Sequence, residues 1–155
     1  MRRSDKEIRD PGTIETLLKN APVGRLGTIG AGGFPMIKPL NFVYESGKIY
    51  FHTALEGEKI EHIRANSRVV FELDLPIAYA KGDNNPCGAR YLYRSVIVKG
   101  RAVPVEDRQE KIRALKGLME KYQPEGGYGD FPEAKLAVTG VVRIDIEETT
   151  GKDDL

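Results

Sequence analysis

The stretch Ile49–Asn66 reads IYFHTALEGEKIEHIRAN, and its interpretation decides the fold. Its opening residues, Ile-Tyr-Phe-His-Thr, are the β-branched and aromatic types that favour a strand. The chain then turns among charges at Gly57, and Ile60 and Ile63 follow at helical spacing until the pattern stops near Asn66. A strand therefore runs through a glycine into a short helix. A doubly wound sheet needs that unit repeated in strict alternation, so the neighbouring segments settle the matter.

They do not repeat it. Upstream, VGRLGTIG and PMIKPLNFVY read as strands joined through the glycine-rich AGGF, and ESGK is a second turn leading into KIYFHT. Downstream, RVVFELD sets Val69, Phe71 and Leu73 on one face. The long RYLYRSVIVKGRAVPV is expected to bend at Gly100. In VTGVVRIDIEE, Val142, Ile144 and Ile146 alternate with Arg143, Asp145 and Glu147, giving one buried and one wet face. Helices are expected from Ile14, Leu17 and Leu18 to about Asn20, from about Glu58 to Asn66, and through EDRQEKIRALKGLMEKYQ. The last carries a buried stripe of Ile112, Leu115, Met119 and Tyr122. The stretch at 75–89 and PEGGYGDF read as long loops. Strands joined mostly by hairpin-scale turns predict a mainly β fold, a six-stranded antiparallel barrel with peripheral helices. It spans residues 1–147, with 148–155 as a C-terminal tail.

Composition narrows the function. The chain has 155 residues, and 24 Lys+Arg stand against 23 Asp+Glu, so no global field draws it to nucleic acid or a membrane surface. Trp is absent and Cys87 is the only cysteine, which excludes a disulfide framework and a cysteine zinc cluster. The start MRRSDKEIRDPG lacks the apolar core of a secretory signal, and no apolar run nears the roughly 20 residues of a membrane span. A soluble cytoplasmic protein is the expectation. The basic residues Arg90, Arg94, Lys99 and Arg101 lack RNA-motif aromatics and read as rim or interface charges.

At the opening stretch, the first amides of a helix have no intrahelical partner and carry partial positive charge. Thr53 adds a hydroxyl, Lys59 a full charge, and Gly57 a close backbone approach, a set that suits a phosphate. The same residues also make an ordinary strand-to-helix connection, and Glu56 and Glu58 oppose an anion. His52 and His62, the only histidines, lack metal-pair spacing; His62 reads as a solvated helix residue. Cys87 reads as a loop cysteine, and Gly27-x-x-Gly30 is no dinucleotide fingerprint because no helix follows it. Pattern alone leaves the anion site open.

The run His52-x-Ala54-x-x-Gly57-x-Lys59, followed by Ile63 and Asn66, resembles the flavin-phosphate segment of the pyridoxamine 5'-phosphate oxidase-related FMN-binding split barrels. The branch it most resembles includes nitroimidazole-resistance proteins. Met1-Arg2-Arg3 with Asp5, GRLGTIGAGGFPMIKPLNFVY, IYFH and YRSVIVKGRAVPVED agree in order and spacing, so the resemblance covers nearly all of residues 1–147. It implies a homodimer holding FMN at its interface. Thr53, Gly57 and Lys59 would hold the phosphate, while Lys38, Pro39, Leu40 and Asn41 would line the isoalloxazine. His52 would stand near the flavin as a catalytic group, Arg25 to Thr28 would form a neighbouring wall, and Tyr91, Tyr93 and Ser95 would border the site across the interface. The implied reaction is reduction of a small electron-poor molecule, a nitro-aromatic being the guess drawn from the resemblance, with a nicotinamide or another electron donor. A non-catalytic flavin carrier, or a deazaflavin or haem in place of FMN, is the alternative. Two departures stand out: Glu58 replaces the arginine usual before the phosphate lysine, and there is no Trp-containing segment for pyridoxal phosphate. Oxidation of pyridoxamine phosphate is therefore not expected.

Overall fold

The computed structural model describes residues 3–155; Met1 and Arg2, part of the resemblance above, lie outside it. A two-residue strand, β1 (Glu7–Ile8), precedes helix α1 (Pro11–Asn20), whose first turn is capped by the Asp10 carboxylate accepting from the amides of Gly12 and Thr13. Then come β2 (Gly24–Ile29), β3 (Pro35–Leu40), β4 (Val43–Glu45), β5 (Lys48–Ala54), α2 (Glu58–Ala65) and β6 (Arg68–Ala80). The chain closes with β7 (Arg90–Pro104), α3 (Arg108–Tyr122), α4 (Glu133–Val138) and β8 (Thr139–Asp154). Every ladder is antiparallel. The mainly β expectation holds, with the six longer strands where the sequence places them.

The sheet runs β3-β2-β6-β7-β8-β5-β4, with β1 added beside β8. Laid flat, six inter-strand gaps would separate β3 from β4 by about 29 Å. Yet only Asn41 and Phe42 join these two strands, a reach of roughly 11 Å. The sheet must therefore curl until its ends meet. The two ends share no ladder, so a covalent link rather than hydrogen bonds closes the barrel, and a split remains between β3 and β4.

Strand alternation fills the interior. Leu26, Phe42, Ile49, Phe51, Phe71, Leu73, Val96, Val98, Val142 and Ile144 are all at most 1% exposed, and Leu17 and Leu18 of α1 and Ile60 and Ile63 of α2 pack on them. Phe42 meets Phe71 edge-on at 4.8 Å between ring centroids. Burying each such side chain contributes about 1.5–3 kcal/mol. Between these inward residues, Tyr50 of β5 and Val141 of β8 point outward and pack against Ala114, Leu115 and Leu118 of α3 and Leu136 of α4. Both faces of β5 are thus covered, one by the barrel core and one by the α3–α4 layer.

Four expectations are corrected. Residues 148–154 are no tail: they are the second half of β8, paired with β7 from Tyr93 to Lys99 and with β1. Polar TTGKDD has no strand pattern of its own, and two flanking strands impose one. The loop at 75–89 shortens to 81–89, because β6 continues through Pro76 to Ala80 beside β7, with a register shift between Pro76 and Ala78 that accommodates the proline. PMIKPLNFVY is broken at Asn41–Phe42 into two strands. The buried stripe of α3 is Ala114, Leu115 and Leu118, with Ile112 and Met119 at its margin and Tyr122 37% exposed. The bend expected at Gly100 is present as a register shift in the β7–β8 ladder between Lys99 and Gly100.

Candidate functional site

At the mouth of the barrel, β5 ends and α2 begins. Gly57 precedes the helix with φ 116° and ψ 167°, a conformation that L side chains rarely adopt, and no side chain caps the helix. The first amides to find a partner are those of Ile60 and Glu61, both donating to the Gly57 carbonyl. The amides of Glu58 and Lys59 are left facing out of the helix end. Thr53, the last inward position of β5 after Ile49 and Phe51, is half-buried, and its hydroxyl makes no hydrogen bond among the described residues.

Two ammonium groups converge on this spot. Lys59 is half-buried, its Nζ 5.3 Å from the centroid of the Phe51 ring, and it has no ion-pair partner among the described residues. Burial, and then the positive charge of Lys38, push its pKa below the ordinary lysine value. Lys38 arrives from β3, opposite Leu26, and its Nζ lies 3.9 Å from the Glu58 carboxylate. Glu58 therefore does not take the place of the missing arginine; it holds Lys38 beside the helix end. The Arg64 guanidinium donates to the Leu55 carbonyl of the turn before α2 at 3.4 Å. Two cations, two free amides and one hydroxyl, with the exposed carboxylates of Glu56 and Glu58 opposing them, suit an anion of phosphate size.

The rest of the Lys38–Asn41 run lies along an open edge. β3 ends the sheet path, so one side of its backbone has no ladder partner. Leu40 turns in and packs on the core, while Pro39 faces out opposite Arg25. Unpaired backbone donors and acceptors along a strand edge suit the edge of a planar heterocycle.

Asn41 and His52 face elsewhere. They open onto a cleft of about 310 Å³ on the outer side of β5, walled by Leu115, Leu118, Met119, Phe131 and Leu136, with Tyr122, Lys135 and Thr139 at its margins. Neither the His52 ring nor the Asn41 amide makes a side-chain hydrogen bond among the described residues. α4, which carries Lys135 and Leu136, has no forecast in the sequence reading. A proline-led six-residue helix with one buried leucine carries almost no periodic signal.

Other predicted residues stand apart. Tyr91 and Ser95 lie on β7, three strands from β3 in the sheet order; Tyr91 is exposed opposite Tyr79, and Ser95 sits between Asp74 and Lys152. Within one chain they do not join the mouth. Arg25 to Thr28 divide by alternation. Arg25 pairs with Glu72 at 3.0 Å and with Asp74 on the outer face, whereas Thr28 is buried. His62 is not on a solvated face: its Nδ1 meets the Thr28 hydroxyl at 3.1 Å, tying α2 to β2. Cys87 is exposed in the 81–89 loop. The outer face of β2, β3 and β6 carries an apolar hollow of about 700 Å³ around Ile29, Ile37 and Val70, each more than 40% exposed. Among the described residues no metal-binding cluster of His, Cys, Asp or Glu is present, and no helix is long and apolar enough to cross a membrane.

Comparison with known proteins agrees with this architecture. The family described as pyridoxamine 5'-phosphate oxidase matches residues 10–153. A solved candidate 5-nitroimidazole antibiotic resistance protein from Bacteroides thetaiotaomicron is 26% identical, with a TM-score of 0.83 over 94% of this chain and 85% of that one. A conserved hypothetical protein from Mycobacterium tuberculosis is 25% identical, with a TM-score of 0.77 over 98% and 89%. A FAD and heme binding protein from Mycobacterium smegmatis shares the fold at 14% identity, with a TM-score of 0.87 over 96% and 73%. No curated protein matches the chain.

Proposed function

We propose, for a chain that belongs to the pyridoxamine 5'-phosphate oxidase family of FMN-binding split barrels, that it binds FMN and reduces a small electron-poor organic molecule, a nitro-aromatic being the best candidate. One observation carries this reading: Lys59 and Lys38 converge on the uncapped start of α2 beside the free hydroxyl of Thr53. Lys59 is half-buried and has no ion-pair partner among the described residues, and burial followed by the positive charge of Lys38 lowers its pKa, so an anion at the helix start would offset both effects. The FMN phosphate supplies that charge, and the open edge of β3 from Lys38 to Leu40 supports the ring system.

FMN when bound supplies two-electron redox chemistry; the protein contributes orientation, electrostatics and access. Converting a nitro group to a nitroso group takes two electrons and two protons and releases one water. A nicotinamide is the electron donor that restores the reduced cofactor. His52, exposed beside the cleft and without a side-chain hydrogen-bond partner among the described residues, would hand over one of those protons. A second copy of the chain completes the site. The apolar hollow around Ile29, Ile37 and Val70 suits burial against a partner, and Tyr91 and Ser95 would enter the site from that partner. The similarity to the Bacteroides thetaiotaomicron protein supports the substrate class.

The test is spectroscopic. The purified protein should be yellow, release FMN on denaturation at about one per chain by mass, and elute as a dimer. Reduced anaerobically, its flavin should be reoxidised by a nitro-aromatic faster than free FMN is; reoxidation at the free rate would leave a flavin carrier. A deazaflavin or haem spectrum would replace the cofactor, and a colourless protein that takes up no FMN would end the proposal.

A further inference from the structure

The cleft between α3, α4 and β5 is separate from the barrel mouth, and its size and chemistry identify an occupant. A void of about 150 Å³ suffices for benzene, so 310 Å³ takes one substituted ring or a small bicycle. It is too small for FMN, whose ring system alone is tricyclic. Its walls are carbon, from Leu115, Leu118, Met119, Phe131 and Leu136. Polar groups gather at the β5 side, where the His52 ring and the Asn41 amide lack side-chain partners among the described residues, so both keep their hydrogen-bonding capacity for a ligand. No carboxylate lines the cleft, and the one full charge is the ammonium of Lys135, which has no ion pair among the described residues. Continuity joins the cleft to the mouth: Asn41 follows directly on the Lys38–Leu40 edge, and His52 precedes Thr53.

We propose that this cleft is the substrate pocket, and that it takes a single-ring aromatic molecule bearing a planar two-oxygen acceptor group, a nitro or a carboxylate. The ring lies between the α3 and α4 side chains. The acceptor oxygens meet the Asn41 amide, the His52 ring and the Lys135 ammonium. Met119, at the margin of the buried stripe, sets how long a ring substituent the cleft accepts. This deepens the reading above and rests on it for the chemistry, but binding in the cleft does not itself need the cofactor.

Benzoate, which flavin chemistry does not reduce, reads binding alone; nitrobenzene carries the same acceptor geometry without the charge. Both are titrated calorimetrically into the protein as purified and after saturation with FMN. Wild type should bind both. Met119→Trp, filling the cleft from a partly exposed position, should weaken both by about tenfold or more, the size of a lost ring contact. Lys135→Gln, at an exposed site, should weaken benzoate about threefold and nitrobenzene less, as expected for one solvent-facing charge. Flavin fluorescence should give the same FMN affinity in all three proteins. Unchanged benzoate and nitrobenzene binding in Met119→Trp would overturn the pocket, and so would a loss of FMN affinity in that variant, which would make the cleft the cofactor's bed. Nitrobenzene binding without benzoate binding would remove Lys135 and the carboxylate source while keeping the nitro source. If no FMN binds at all, the flavin reading fails, yet benzoate binding sensitive to Met119→Trp would still uphold the pocket.

Discussion

Thr53 and His52 are adjacent in the chain and serve two different regions. Thr53 looks inward to the barrel mouth, where Lys38, Lys59 and the bare start of α2 gather positive charge. His52 looks outward to a cleft of carbon walls closed by α3 and α4. The period-two pleat of a single strand puts them on opposite faces. On the readings proposed above, one region holds the phosphate and the other the substrate ring, with β5 between them. Charge and apolar surface are thereby kept apart, which lets each be changed without the other.

That independence can be broken or sharpened by experiment. The largest effect is expected from Lys59→Ala. Loss of a charged hydrogen bond is worth about 1.5–3 kcal/mol, so FMN affinity should fall roughly 10- to 100-fold, with benzoate binding in the cleft unchanged. A fluorescence titration showing wild-type affinity would remove Lys59 from the phosphate site. Gly57→Ala comes next. At φ 116° a Cβ meets no neighbouring atom but strains the backbone by about 1–3 kcal/mol, so thermal stability and FMN affinity should fall together. A variant as stable as wild type would mean that the turn relaxes freely and is no fixed cradle.

Tyr122→Phe probes the seam that the two regions share. The Tyr122 hydroxyl donates to the Pro22 carbonyl at 2.8 Å and accepts from the Phe42 amide at 3.0 Å. Its loss should cost about 1 kcal/mol, or about 2–4 °C in Tm, and should loosen Asn41 enough to weaken nitrobenzene binding. A lower Tm with intact nitrobenzene binding would show that the seam does not position Asn41. The smallest effect concerns pH. Burial pushes the Lys121 ammonium down to about 8, and its Nζ has no hydrogen-bond partner among the described residues, although the Phe42 ring 3.7 Å away favours the charge. The native state then binds fewer protons than the unfolded chain between about pH 8 and the ordinary lysine value of 10.5, so stability from this group rises with pH across that window. Lys121→Met should flatten the rise in denaturant unfolding measured from pH 7 to 10; an unaltered slope would assign the rise to other groups.

What the sequence disclosed followed from local pattern. Val69, Phe71 and Leu73 alternate because one face of β6 is core, and Ile60 and Ile63 mark the inner face of α2, so barrel and mouth were legible. Residues 148–154 were not, because their strand character comes from β7 and β1 on either side. The cleft was hidden for a related reason. Asn41, His52, Met119, Phe131 and Lys135 come from five separate segments, and only the packing of α3 and α4 on β5 brings them together. The bond between His62 and Thr28 was equally invisible, since helical periodicity does not reveal which strand a half-buried histidine meets.

The link at Asn41–Phe42 also bears on how the barrel assembles. Closing it requires Tyr122 to find Phe42 across 80 residues and Pro22 across 100, so this clasp has a high loop-closure cost and belongs to the late stages of folding. β3 and β4 also share no ladder, and backbone without a ladder partner opens at lower free-energy cost than paired strand. The seam between β3 and β4 is therefore where transient openings should concentrate. Hydrogen exchange at the Phe42 amide would report that breathing, and a planar cofactor could slip in along the same path.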